Sequence, residues 1–115
     1  MGPKAVIVTT TIDDRDRAEH LARSSVRARL AACSHIAGPT TSVYRWQGQI
    51  EHAVEFTVVF KTTEALAETL VEHLAAEHPY DVPEILTVPM LGGHPRYLAW
   101  IAQETASPVP RGPGS

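Results

Sequence analysis

Cys33 and His35 stand two apart in a stretch of extended character, so their side chains leave the same face of a strand and can approach one metal ion. Thiolate plus imidazole is a donor pair that suits copper, although two ligands do not close a site. A small structural thiol beside a surface histidine is the ordinary reading of the same pair. The six histidines include no His-Glu-x-x-His and no pair at helical i, i+4 spacing, and His73 and His78 diverge around their helix, so no preformed zinc site is expected. His78 is read as a helix end, where a protonated imidazole would face the negative end of the dipole, with a ligand role as its alternative. Cys33, His35 and His78 are therefore the candidate metal residues.

A second set carries binding rather than coordination chemistry. Tyr44 and Trp46 share one face of an extended segment, where they could stack on a ligand or pack against a neighbouring subunit, and the subunit contact is preferred. Glu55 and Lys61 lie on one face of the following strand but roughly 20 Å apart, so a pocket joining them needs another chain. Tyr80 and Glu84 complete a set of polar groups able to line an inter-subunit cleft that takes a small ligand. Cys33 as a nucleophile with His35 as its base would be the enzymatic reading. No oxyanion hole follows from the pattern, and no catalytic role is expected.

These residues must be held by a particular order of elements. Ala5 to Thr10 is a β-branched run that reads as a buried strand. It leads to a helix capped by Asp13, with Ala18, Leu21, Ala22, Val26 and Leu30 as its apolar stripe and an end near Ala31. Ala32 to Ile36 and Ser42 to Trp46 read as extended segments interrupted at Gly38-Pro39, and Gln47-Gly48 turns the chain. From Gln49 to Lys61 the residues alternate, with Val54, Phe56, Val58 and Phe60 on the apolar face. At about 3.3 Å per residue that arm reaches roughly 40 Å, longer than a compact domain of this size is wide, so it must bend or overhang.

Thr62-Thr63 can cap a second helix bearing Leu66, Leu70, Val71 and Leu74, which Pro79 stops at about His78. Ile85 to Val88 is a further strand. Gly92-Gly93 breaks it, and Pro95 opens a last helix whose apolar face carries Tyr97, Leu98, Trp100 and Ile101. The predicted class is α+β, a ferredoxin-like βαββαβ sandwich with a long β-hairpin and a C-terminal helix. Residues 1–106 form one domain, and 107–115, rich in Pro and Gly, form a disordered tail or an expression remnant.

Composition narrows the partners. With 115 residues, 43% hydrophobic and 20% charged, the chain has the makings of one globular core. The apolar run near the start ends at Thr9, too short for a signal peptide or a membrane span, so no membrane association is expected. A formal charge of -3 with no Lys/Arg cluster offers nothing to a phosphate backbone, so no nucleic-acid partner is expected. The single cysteine cannot form an internal disulfide, which fits a reducing cytoplasm.

Taken together, Leu30-Ala31-Ala32-Cys33, Ser42 to Ile50, Glu55, Lys61-Thr62-Thr63, His78-Pro79-Tyr80-Asp81-Val82-Pro83-Glu84-Ile85, and Gly93 followed by Tyr97-Leu98-Ala99-Trp100-Ile101 resemble the successive motifs of the CutA divalent-cation tolerance family. The resemblance runs from about Val6 to Ile101. It implies a cytoplasmic homotrimer assembled through edge-strand pairing, similar in architecture to the PII signalling proteins. It also implies a link to divalent-metal tolerance, with copper or another divalent metal bound weakly and no settled catalysis. An overlong hairpin gives the trimer a physical motive of its own, because a closed three-fold ring pairs the exposed edges without starting a fibre. A PII-like sensor holding a metabolite between subunits is the alternative function, against which Gly92-Gly93 lacks the other residues of a phosphate loop. His35 replaces the more usual Asn of the family, and His94 a smaller capping residue.

Overall fold

The computed structural model describes residues 4–109. Seven elements follow in the order β1 (Ala5–Ile12), α1 (Arg15–Arg27), β2 (Cys33–Trp46), β3 (Gln49–Thr63), α2 (Glu64–Glu77), β4 (Ile85–Pro89) and α3 (Pro95–Glu104). The strands form one antiparallel sheet in the order β2-β3-β1-β4, the arrangement expected for a ferredoxin-like chain.

Register decides which side chains meet the helices. Val6, Val8, Thr10 and Ile12 stand opposite Thr62, Phe60, Val58 and Phe56, and this face is covered by α1 and α2. Val8, Val58, Phe60, Leu21, Leu70 and Leu74 make its dry centre. The opposite face is covered in part by α3, whose Ile101 packs against Ala5 and Ala32 with Met90 and Leu98 alongside.

Several local expectations shift by a residue. The N-cap of α1 is Asp14, whose carboxylate accepts the Arg17 N–H at 3.0 Å, because β1 runs on to Ile12 and leaves Asp13 in the bend. Val26 is exposed, and Ser25 takes the buried position, its hydroxyl bonded back to the Leu21 carbonyl at 2.7 Å. The reason is that α1 stops at Arg27 and Arg29 turns left-handed (φ 61°), so Leu30 enters the core from a turn and does not continue the helical stripe. On α2 the buried positions are Ala67, Leu70, His73 and Leu74, while Leu66 and Val71 are half-buried. His73 meets the Ser24 hydroxyl at 3.0 Å, tying α2 to α1. Thr63 is the N-cap of α2 by backbone conformation, without a side-chain capping bond.

The two extended segments around Gly38-Pro39 are one strand. β2 carries a bulge between Ala37 and Thr40, and Gly38 there has φ +132°. A Cβ at Gly38 would come within 3.0 Å of the Glu55 carbonyl oxygen, so only glycine lets the two arms stay paired through the bulge. At the tip, Gln47 and Gly48 both take positive φ, as a two-residue hairpin turn of the twist-matching kind requires. The hairpin overhangs. The molecule measures 47 × 35 × 22 Å, and Val54, on the apolar face by alternation, is 59% exposed because neither α1 nor α2 reaches that far.

Part of the expected tail is attached. The Val109 N–H donates to the Ala28 carbonyl at 2.7 Å, which holds 107–109 near the end of α1. Positions 110–115 lie outside the described residues.

Candidate functional site

Two groups of side chains emerge on the sheet face that α1 and α2 leave free. The first is built at the root of β2. Cys33 pairs with Lys61 across the ladder and His35 with Val59, so both project to the α3 side, with Cys33 half-buried and His35 exposed. α3 brings Tyr97 over Cys33 and Lys61. Its hydroxyl lies 3.4 Å from the Cys33 sulfur, and the Lys61 ammonium sits 5.6 Å from its ring centre. The Cys33 contact and, secondarily, burial push the Tyr97 phenol above its ordinary range, while Lys61 opposes them. The side-chain contact of the Cys33 sulfur is therefore with Tyr97 of α3.

Cys33 and His35 would supply a metal ion with one thiolate and one imidazole, a half-site at most. Among the described residues no group of three or more His, Cys, Asp or Glu is placed to hold a metal ion. Any further ligands must come from solvent or another chain.

His78 does not join that half-site. It follows the last residue of α2, and its Nδ1 accepts the Tyr80 N–H at 3.2 Å, which leaves the ring proton on Nε2 to be donated to the Thr11 carbonyl at 2.8 Å. Both nitrogens are committed inside the fold, and Thr11 lies two strands away from β2, roughly 10 Å across the sheet. His78 stands at the end of α2, as expected from the sequence, and its ring fastens the segment after α2 to β1. His94 has a similarly local duty. Its Nδ1 accepts the Arg96 N–H at 3.2 Å and caps α3, the place where a phosphate would otherwise meet that helix.

The second group is a cleft of about 640 Å³ between the outer part of the projecting hairpin and the segment Tyr80 to Glu84. Tyr44, Trp46, Glu55, Tyr80 and Glu84 all line it within one chain, together with Asp81. Lys61 is absent from it and sits with Cys33 and Tyr97. The separation expected between Glu55 and Lys61 along β3 therefore splits the candidate residues into two places.

Local chemistry explains how the cleft is held. Pro79 and Pro83 stiffen the segment, the Thr10 hydroxyl donates to the Glu84 carbonyl at 2.7 Å, and His78 packs edge-on to Tyr80 at 4.6 Å. The Tyr80 hydroxyl donates to Glu55 Oε2 at 2.9 Å. Burial first, then the Glu55 hydrogen bond and charge, push the Tyr80 phenol well above the usual tyrosine range, so it keeps its proton as a donor. The contribution of Tyr97 to the Cys33 cluster was missed in the sequence, where Tyr97 reads only as one apolar residue of a helix face.

A four-stranded antiparallel sheet with an overhanging hairpin, two helices on one face and a third on the other defines a ferredoxin-like scaffold. Residues 6–104 match the family model described as CutA1 divalent ion tolerance protein. The chain is 39% identical over 101 residues to "Protein CutA, chloroplastic" of Arabidopsis thaliana, covering 88% of this chain and 56% of that protein. It thus spans a little over half the length of that plant relative. Against "Divalent-cation tolerance protein CutA" of Citrobacter koseri it is 37% identical over 99 residues, 86% of each. The solved structure of the divalent cation tolerance protein from Thermus thermophilus superposes with a TM-score of 0.86 at 38% identity, covering 88% of this chain and 98% of that one. The chain belongs to the CutA1 divalent ion tolerance family.

Proposed function

We propose that this chain is a homotrimeric binding module that takes copper or another divalent metal weakly at Cys33 and His35, and that serves divalent-cation tolerance through binding, signalling or assembly without catalysis. The observation that carries the reading is the apolar surface left uncovered along the hairpin and β4. Val43, Ile50, Leu86 and Val88 are each 45 to 70% exposed, and β2 and β4 are both edge strands. A surface of this kind on an open sheet is managed by covering it, and a closed three-fold ring does so without exposing a new edge.

In such a ring the neighbouring chain can supply the donors that Cys33 and His35 lack, and can close the open side of the cleft lined by Tyr44 and Trp46. A free thiol with no disulfide partner supports residence in the cytoplasm. Among the described residues no helix is long and apolar enough to cross a membrane.

Thermal unfolding with and without copper tests the metal assignment. At ten times the dissociation constant, binding to the folded state alone adds about 1.4 kcal/mol. Cys33→Ser is expected to lose that gain while keeping its metal-free transition. An equal copper shift in both proteins would remove Cys33 from the site.

A further inference from the structure

The cleft lined by Tyr44, Trp46, Glu55, Tyr80, Asp81 and Glu84 has a chemical bias that the metal reading does not use. It contains three aromatic side chains and three carboxylates, and no Lys, Arg or His lines it. Glu55 is only 7% exposed, and among the described residues it has no cationic partner; its one side-chain hydrogen bond comes from the neutral Tyr80 phenol. A carboxylate facing a cleft that holds no counter-ion attracts a cation that enters beside it. The carboxylates are not close enough together to form a metal cage, since no cluster of three or more possible ligands occurs among the described residues. A volume of about 640 Å³ is also far larger than a bare ion requires and falls in the range of small-molecule sites. Aromatic side chains around a site of negative charge select organic cations, through the attraction of the ring faces for an ammonium group.

We propose that this cleft is a binding site for a small organic cation, an ammonium compound whose charge is met by Glu55 and whose apolar groups rest against Tyr44, Trp46 and Tyr80. The proposal names a ligand class for the cleft and is independent of copper at Cys33, which lies at the other end of β3's pairing with β2, opposite Lys61. Asp81 and Glu84 are exposed at the mouth and favour entry of positive charge. Tyr80 acts as a positioning residue, since its hydroxyl holds Oε2 of Glu55 and leaves the other carboxylate oxygen to the ligand.

Choline and its neutral isostere 3,3-dimethylbutan-1-ol separate charge recognition from simple hydrophobic filling. The chain has two tryptophans, so a Trp100→Phe background assigns the fluorescence to Trp46. Titration of the full chain is expected to give a saturable Trp46 signal with choline at an affinity at least tenfold above that for the alcohol. Glu55→Gln should lower choline affinity tenfold or more, and Glu84→Gln, at an exposed position that tolerates change, about threefold. Cys33→Ser should leave the titration unchanged even where it abolishes the copper effect, so the two sites fail separately. Equal affinity for choline and the alcohol, binding of neither, or unchanged choline binding in both carboxamide variants would overturn the proposal.

Discussion

Phe60→Ala is expected to destabilise the folded chain by about 3–5 kcal/mol, the usual cost of deleting a fully buried phenylalanine ring. Phe60 is wholly buried in the last third of β3, between Val8 of β1 and Ser34 of β2, where α1 and α2 both close over the sheet. The surrounding strands are hydrogen-bonded on both sides and cannot collapse into the space, so the loss includes the cavity as well as the transfer of the ring. Total stabilities of domains are about 5–15 kcal/mol, so the variant should unfold at a much lower denaturant midpoint. The comparison must be made at one protein concentration, because assembly adds to apparent stability. A change below about 1 kcal/mol would contradict the placement of Phe60 at the centre of the core.

Tyr80→Phe is expected to cost about 1–3 kcal/mol, since it leaves the buried Glu55 carboxylate without the donor that now satisfies it. The same substitution has a signature in alkali. The folded-state pKa of Tyr80 is raised above its ordinary value of 10.0, chiefly by burial and then by Glu55, so the folded chain holds this proton more tightly than the unfolded chain. That contribution is fully present below about pH 10 and is lost as the pH rises through the folded-state value. Urea midpoints measured from pH 8 upward should therefore fall above about pH 10 in the parent chain and fall less in Tyr80→Phe. Tyr97, also raised, contributes equally to both. Parallel pH profiles would mean that Tyr80 does not meet Glu55 in solution.

The sheet and helices were readable because their signals are local. Alternation along β3, the Gln47-Gly48 turn and Pro79 after α2 each specify an element without help from distant residues. The shift from Val26 to Ser25 was not readable, because a left-handed Arg29 ends the helical register and a serine can be buried by bonding to its own helix. The bulge at Gly38 likewise hides in an apparent break, since the same residues could end a strand or bend one.

The candidate site was partly legible. The sequence places Tyr44, Trp46, Glu55, Lys61, Tyr80 and Glu84 at an inter-subunit cleft or interface, and within one chain all of these but Lys61 line a single cleft. Lys61 and His78 were chosen with them or with Cys33 but belong elsewhere, because pairing register and a pair of histidine hydrogen bonds decide their surroundings. The contact between Cys33 and Tyr97 spans 64 positions and depends on α3 folding back over the free face, for which the amphipathic pattern of that helix gives no partner. The trimer came from family resemblance and from the length of the hairpin, and its physical support is the uncovered apolar surface.

That assembly is the central claim, and the mass of the native protein in solution by light scattering, with and without one equivalent of copper, tests it most directly. Three times the 12.5 kDa chain mass is expected in both conditions, because the apolar hairpin and edge strands require cover whether or not metal is bound. A folded species of 12.5 kDa at micromolar concentration would contradict it, and would mean that the overhanging hairpin is stable in water as a single chain.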